Sequence, residues 1–445
     1  MTGHFDRSTS CRRPPPLASS ATMSARSSKL LCVFLALGAA AACSKKLRDY
    51  GDPEDGGQGG AGGTLEGGAG APSSGGRANS NAGSHAGGDS GDSAPCPSMG
   101  CECDPSKTRC SGAQPEVCEG GRWAPSGAAC LAAHLCEEGT CTEFPSCSGL
   151  APRCGAAANE SCCESLAVPG GSYLRSPFLE QPDPASVSNF RLDKFEVTVG
   201  RFRRFVTAVV GGWRPEEGAG KHTHLHMGKG LVNSEAPDSF EPGWLQDWSD
   251  HLPASADVWD ATLSCDETYA TWTPITGANE NRPLNCANWY QLYAFCIWDG
   301  GFLPSEAEWM YAATGGDQQR SVPWGGTRDA DHAVYDCSYN GSGTCSGVVN
   351  IAPVGARPLG NGRWGQADLV GSMREFSLDC GGPYPVPCID CVVIDFSVAG
   401  RPARGGSFEA ITGQGHATTY TAGGRAFADP SERYPGVGAR CARTP

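Results

Sequence analysis

The chain has 445 residues, a formal charge of −14, and 62 glycines, 33 prolines and 24 cysteines. That acidity argues against nucleic acid or an anionic membrane surface as a partner and suits a solvent-facing protein. The length allows two or three domains, but the glycine concentrated before residue 100 leaves a large part of the chain unable to build a core.

Residues 1–22 carry no fold signal, and Met23 is the expected start. Arg26 and Lys29 precede an apolar run, Leu30 to Ala42, and then Cys43-Ser44. The run is shorter than the ~20 residues needed to span a bilayer but suits a signal-peptide h-region. Small residues directly before Cys43 resemble a bacterial lipobox, so residues 1–43 read as a signal peptide and Cys43 as a lipidated mature N-terminus. The alternative is ordinary signal cleavage without lipid. Residues 44–95 are Gly, Ser, Ala and Asp with almost no large apolar side chain. They read as a disordered tether with an end-to-end distance of about 40 Å.

Residues 96–163 hold 12 of the 24 cysteines and few large apolar side chains. Behind a signal peptide this density reads as a disulfide-stapled module, with zinc at Cys101-Glu102-Cys103 as the alternative. The connectivity is open, and Cys162-Cys163 are candidates to tie the module to the next domain.

From residue 164 aromatic residues return, and short strand-like pieces alternate with Gly/Pro loops around two helices. That predicts an α+β domain over 164–445 with much irregular loop. Trp289, Leu292, Tyr293 and Cys296 at i, i+3, i+4 and i+7 predict a helix with one apolar face, capped by Asn288 and ended by Gly300-Gly301. Ser305 with Glu308 predicts a capping box opening a second helix that Gly315-Gly316 closes. Lys221-His222-Thr223-His224-Leu225-His226 places three histidines on one face if extended. His222, His224 and His226 then read as part of a transition-metal site, against the alternative of a solvated loop.

The stretch LNCANWYQLYAFCIWDGGFLPSEAEWMYAATGG resembles the signature of the formylglycine-generating enzyme (sulfatase-modifying factor) family. VPGGSYLR, FRLDKFEVTVGRF, DLVGSMREFSLD, RGGSF and a terminal GARC agree with it in order. The resemblance implies a C-type-lectin-like arrangement of loops on a small sheet-and-helix frame, a fold that serves enzymes and binding proteins alike. It also implies calcium at DLVGSMREF, with Asp368 and Glu375 as side-chain ligands and Gly371 and Met373 giving backbone oxygens. Arg374 stands where the family has an aromatic. The resemblance pairs Cys296 with Cys441; Cys337 with Cys345, and Cys380 with Cys388 or Cys391, are plausible loop staples. An odd cysteine is expected to remain, as a free thiol or an intermolecular bond.

The family's copper-binding thiols lie three and eight residues after the serine of RGGS. Those positions are Ala410 and Gly415, and no cysteine lies between Cys391 and Cys441. No catalytic residue is therefore assigned, and copper is not expected. The expectation is a lipid-anchored cell-envelope protein whose C-terminal domain binds a protein, peptide or glycan. The rival is formylglycine generation on a sulfatase cysteine, or related oxidative chemistry, by other residues; a structural role in an envelope assembly comes third.

Overall fold

The computed structural model describes residues 48–49, 102–111, 113–175, 183–236, 238–341, 343–398, 400–409 and 420–445. Cys43, Cys96, Cys101, most of the tether and positions 410 and 415 lie outside them. Two tether residues do pair: β1 (Arg48–Asp49) runs antiparallel to β16 (Arg425–Ala428).

In the cysteine-rich segment β2 (Thr108–Ser111), β3 (Gln114–Glu119) and β4 (Arg122–Pro125) form an antiparallel sheet beside a hairpin of β5 (His134–Glu137) and β6 (Thr140–Glu143). Its buried apolar residues are almost all cysteines, with Phe144 the one large exception. Disulfides stand in for a core: Cys103–Cys118, Cys110–Cys136, Cys130–Cys141, Cys147–Cys163 and Cys154–Cys162. Cys103 is thereby taken out of the zinc reading. Cys162 and Cys163 are expected from the sequence to reach the next domain, yet both pair back into their own segment. Polar contacts make the attachment instead. The Ser146 N–H donates to Asp299 at 2.8 Å, Arg201 donates to Ser146 Oγ at 2.9 Å, and the Arg443 guanidinium lies 3.6 Å over the Phe144 ring.

The C-terminal domain has the expected α+β character. β7 (Ser165–Val168), β10 (Phe190–Asp193) and β18 (Ala442–Arg443) make one sheet. β8 (Gly171–Leu174), β9 (Pro184–Val187) and β13 (Cys388–Ile389) make a second, and β11 (Val232–Asn233) pairs with β14 (Cys391–Val392). The five-stranded sheet runs β1-β16-β15-β12-β17, with β15 at Arg401–Arg404, β12 at Arg374–Phe376 and β17 at Val437–Gly438. Among the described residues four α-helices accompany them: α1 (Val199–Val210), α2 (Ala256–Leu263), α3 (Trp289–Trp298) and α4 (Glu306–Thr314).

Both predicted helices form with their predicted caps. Asn288 caps α3 in a box completed by Gln291, and Ser305 with Glu308 caps α4. Gly315 closes α4 at φ 66°, where a Cβ would be strained. The single apolar face expected of α3 is a correction: it buries residues on every side, and all nine residues of α4 are buried. Two of the α4 side chains are glutamates, so the second helix is held by ion pairs as well as by packing.

Cys296–Cys441 joins α3 to the C-terminal segment, Cys337–Cys345 staples its loop, and Cys265–Cys286 forms without having been anticipated. Cys388 pairs with Cys391, so Cys380 takes neither and is the free cysteine among the described residues. Peptide mapping without reduction should recover Cys296 with Cys441 and Cys388 with Cys391. Cys380 should be alkylated only after unfolding; recovery of Cys380 in a disulfide would contradict this pairing.

Candidate functional site

The loop 368–373 leads into the central strand β12, and its backbone is unusual. Asp368, Gly371 and Ser372 all take left-handed φ values, between 58° and 87°. Neighbouring backbone holds it there: the Gly371 N–H donates to the Gly405 carbonyl, Ser372 to Val334, and Phe408 to the Ser372 carbonyl. A Cβ on Gly371 would lie 2.6 Å from the Val334 oxygen, so this loop can pack so closely only through glycine.

Three buried carboxylates interact here: Glu196, Asp368 and Glu375. Glu196 is not singled out by the sequence motifs; its signal is a lone charge in the apolar run Phe195-Glu196-Val197. Its carboxylate accepts from the Met373 N–H at 2.9 Å and from Ser372 Oγ at 3.0 Å. Burial, then Asp368 and Glu375, hold its pKa well above the usual carboxylate range. Asp368 accepts the Gly355 N–H at 2.5 Å, and burial pushes it up to about 6.

Glu375 is differently placed. Arg440 grips both of its oxygens, at 2.7 and 2.6 Å, and the Trp309 indole donates at 2.7 Å. The expected calcium ligand set is thus only half available. Asp368 suits a hard cation, whereas Glu375 is already the counterion of a buried arginine.

Arg374 occupies the face beside the RGGS serine. Its guanidinium donates to Ser407 Oγ at 3.3 Å and lies 3.6 Å from Glu409, while Ser407 Oγ donates to Glu409 at 3.1 Å. The Tyr420 hydroxyl donates to the Glu409 carbonyl at 3.0 Å. A hydrogen-bonded ion pair fills the place where the resemblance expects an aromatic ring beside a thiol pair.

The three-histidine metal site is not what forms. His222 is fully buried between two carboxylates, with Nδ1 3.0 Å from Glu241 and Nε2 3.0 Å from Glu308. Burial alone would lower its pKa, but Glu241 and Glu308 outweigh burial and push it up to about 10. His226 opens a 3-10 turn, His226–Gly228, and its Nδ1 pairs with the Gly230 carbonyl at 2.8 Å. Of the three, only His224 keeps both ring nitrogens without a partner, at a shallow cleft with Gly170, Ser188, Asn189 and Leu225; burial lowers its pKa. Among the described residues no group of three or more His, Cys, Asp or Glu has metal-holding geometry.

The family model for the sulfatase-modifying factor enzyme 1-like domain matches residues 151–445. The mouse formylglycine-generating enzyme is 27% identical over 213 residues, 44% of this chain and 50% of that protein. The chain thus spans about half the length of that relative. The bovine inactive Cα-formylglycine-generating enzyme 2 is 32% identical over 230 residues, covering 47% of this chain and 68% of the relative. Among solved structures, PvdO from Pseudomonas aeruginosa aligns at a TM-score of 0.42 and 18% identity, over 63% of this chain and 94% of its own. The chain belongs to the sulfatase-modifying factor family.

His222 yields a pH prediction with a definite sign. Its folded pKa, about 10, is raised above the ordinary 6.5, so its contribution is complete below 6.5 and is lost as pH rises through about 10. The melting temperature should fall across that window in the parent. In His222→Gln it should start lower and vary less, and parallel profiles would show that His222 is not an imidazolium in the folded state.

Proposed function

We propose that this family member binds a ligand or partner through its loop surface and does not carry out the copper-dependent oxidation. The carrying observation is the absence of any cysteine between Cys391 and Cys441, which leaves alanine and glycine at positions 410 and 415. Soft Cu(I) needs thiolates, and no other common pair of side chains substitutes for them. The remaining cysteines offer no replacement. Cys388 and Cys391 are bonded to each other, and Cys380 is buried with its sulfur 2.9 Å from Arg401. Burial pushes that thiol up, against the pull of Arg401.

The rival oxidative reading leans on the His222–His226 cluster. It loses support because His222 is a counterion and His226 faces a carbonyl. Of the Arg374, Ser407 and Glu409 set, the half-exposed Glu409 carboxylate is the group open to a peptide or glycan, with Arg374 and Ser407 buried behind it. Delivery from a lipidated Cys43 at the end of the tether belongs to the same proposal.

Two experiments test it. Copper-loaded protein incubated with a sulfatase-type peptide, oxygen and reductant should leave the peptide mass unchanged. Steady conversion of the cysteine to the aldehyde, abolished by copper chelation, would overturn the reading. Separately, Cys43→Ser should move the protein from the membrane to the soluble fraction, because stable anchoring needs more than one acyl chain; identical partitioning would exclude the lipid anchor.

A further inference from the structure

Strand β16 is held in place from within the domain, whatever lies along its outer side. Arg425 Nε and Nη2 each hold Glu306 at 2.6 Å, and Nη1 donates to the Gly382 carbonyl at 2.6 Å. The same guanidinium lies 4.6 Å over the Phe427 ring. The register then fixes which backbone groups face outward. Pro402 stands opposite Phe427, and the Pro402 carbonyl accepts the Ser377 N–H on the β12 side. The N–H and C=O of one strand residue point the same way, so Pro402 is turned toward β12 and Phe427 is turned away from β15. Arg425, opposite Arg404, shares the direction of Phe427. On the outer side Arg48 of β1 stands opposite Phe427, and Asp49 stands opposite Ala426, whose backbone is directed at β15. The attachment of β1 is therefore one bonded pair, main chain to main chain, between Arg48 and Phe427.

We propose that the β16 edge is a docking site for an extended peptide, and that β1 is a strap by which the chain occupies this edge itself. A sheet edge is a ready template for an added strand, and main-chain pairing is the way such peptides are held. The geometry of the bound peptide is given by the chain's own tether. At two residues β1 is shorter than an ordinary strand. A longer peptide that reaches the Arg425 backbone as well as Phe427 pairs more of its main chain and displaces it. The site uses none of Arg374, Ser407 and Glu409, so it stands whether or not that surface binds a ligand.

Hydrogen exchange at the Phe427 amide reads the edge directly, because its N–H is turned away from β15. In the full chain this amide should be protected. Arg48→Pro deletes the N–H of the bonded pair and should speed exchange at Phe427 about tenfold or more. Arg48→Ala keeps the N–H and should exchange like the parent. Both substitutions lie in the tether, away from the buried core, so the melting temperature should stay near that of the parent. A synthetic peptide of residues 45–52, Lys-Lys-Leu-Arg-Asp-Tyr-Gly-Asp, added to Arg48→Pro should restore the protection. The same peptide with proline in place of its arginine should not.

Equal exchange at Phe427 in the parent and in Arg48→Pro would overturn the strap. Failure of the peptide to protect Phe427 of Arg48→Pro at millimolar concentration would overturn the docking edge. Protection by the proline-containing peptide would overturn main-chain pairing as its basis. Protection in the parent that rises with protein concentration would assign the strand to a second copy of the chain and overturn the self-supplied strap.

Discussion

Four side chains at the join between the cysteine-rich segment and the C-terminal domain hold the molecule together. Arg201 on α1 and Arg443 on β18 face Asp193 at the end of β10 and Asp299 at the end of α3, all at or below 3% exposure. Burial acts to raise the Asp299 pKa, but Arg201 and Arg443 overcome it and the net shift is downward. Arg201 also reaches Ser146 and the Cys162 carbonyl, so the stapled segment is bonded into the same network. The set is balanced, two cations to two anions, and removing one member of such a buried set costs roughly 3–5 kcal/mol. The cysteine-rich segment is therefore part of the domain's support.

The same device recurs because so little of this fold is regular. A chain that is mostly loop carries many carbonyls with no ladder partner, and each must be satisfied when buried. Arginine answers both needs, spreading several donors from one charge. Arg440 caps three carbonyls while holding Glu375, and Arg404 and Arg425 cap Gly423, Gly424 and Gly382 while sharing Glu306 on α4. His222 does for Glu241 and Glu308 what arginine does elsewhere. Each of these anions has its cation, whereas the buried Glu196, Asp368 and Asp379 are met by neutral donors.

What the sequence made legible was mainly local. The caps of α3 and α4 depend on residues three apart, and both were readable. The Cys296–Cys441 bridge spans 145 positions and was reached only through family resemblance. The failures share a cause: the partner lay far along the chain. Glu241 and Glu308 turn His222 from a metal-ligand candidate into a counterion, and neither is close to it in sequence. Arg440 claims Glu375 from 65 residues away, so a motif-based ligand assignment had no sign that one carboxylate was taken. Adjacent cysteines carry no signal of direction, and Cys162 and Cys163 turn back to partners 8 and 16 residues away.

The substitutions around RGGS make sense as a set. Arg374 places a buried positive charge beside the RGGS serine, and such a charge needs an anion. Here Arg374 has one, because Ser407 bridges it to Glu409. The sequence has alanine and glycine at 410 and 415, with a thiol at neither. Meanwhile the frame beneath keeps its ion pairs, its capped helices and the glycine contact between Gly371 and Gly405. Retaining the frame while changing the surface chemistry is what a scaffold allows when function resides in its loops. Arg374 itself is buried and paired with Glu409, so the group this face turns outward is the half-exposed Glu409 carboxylate.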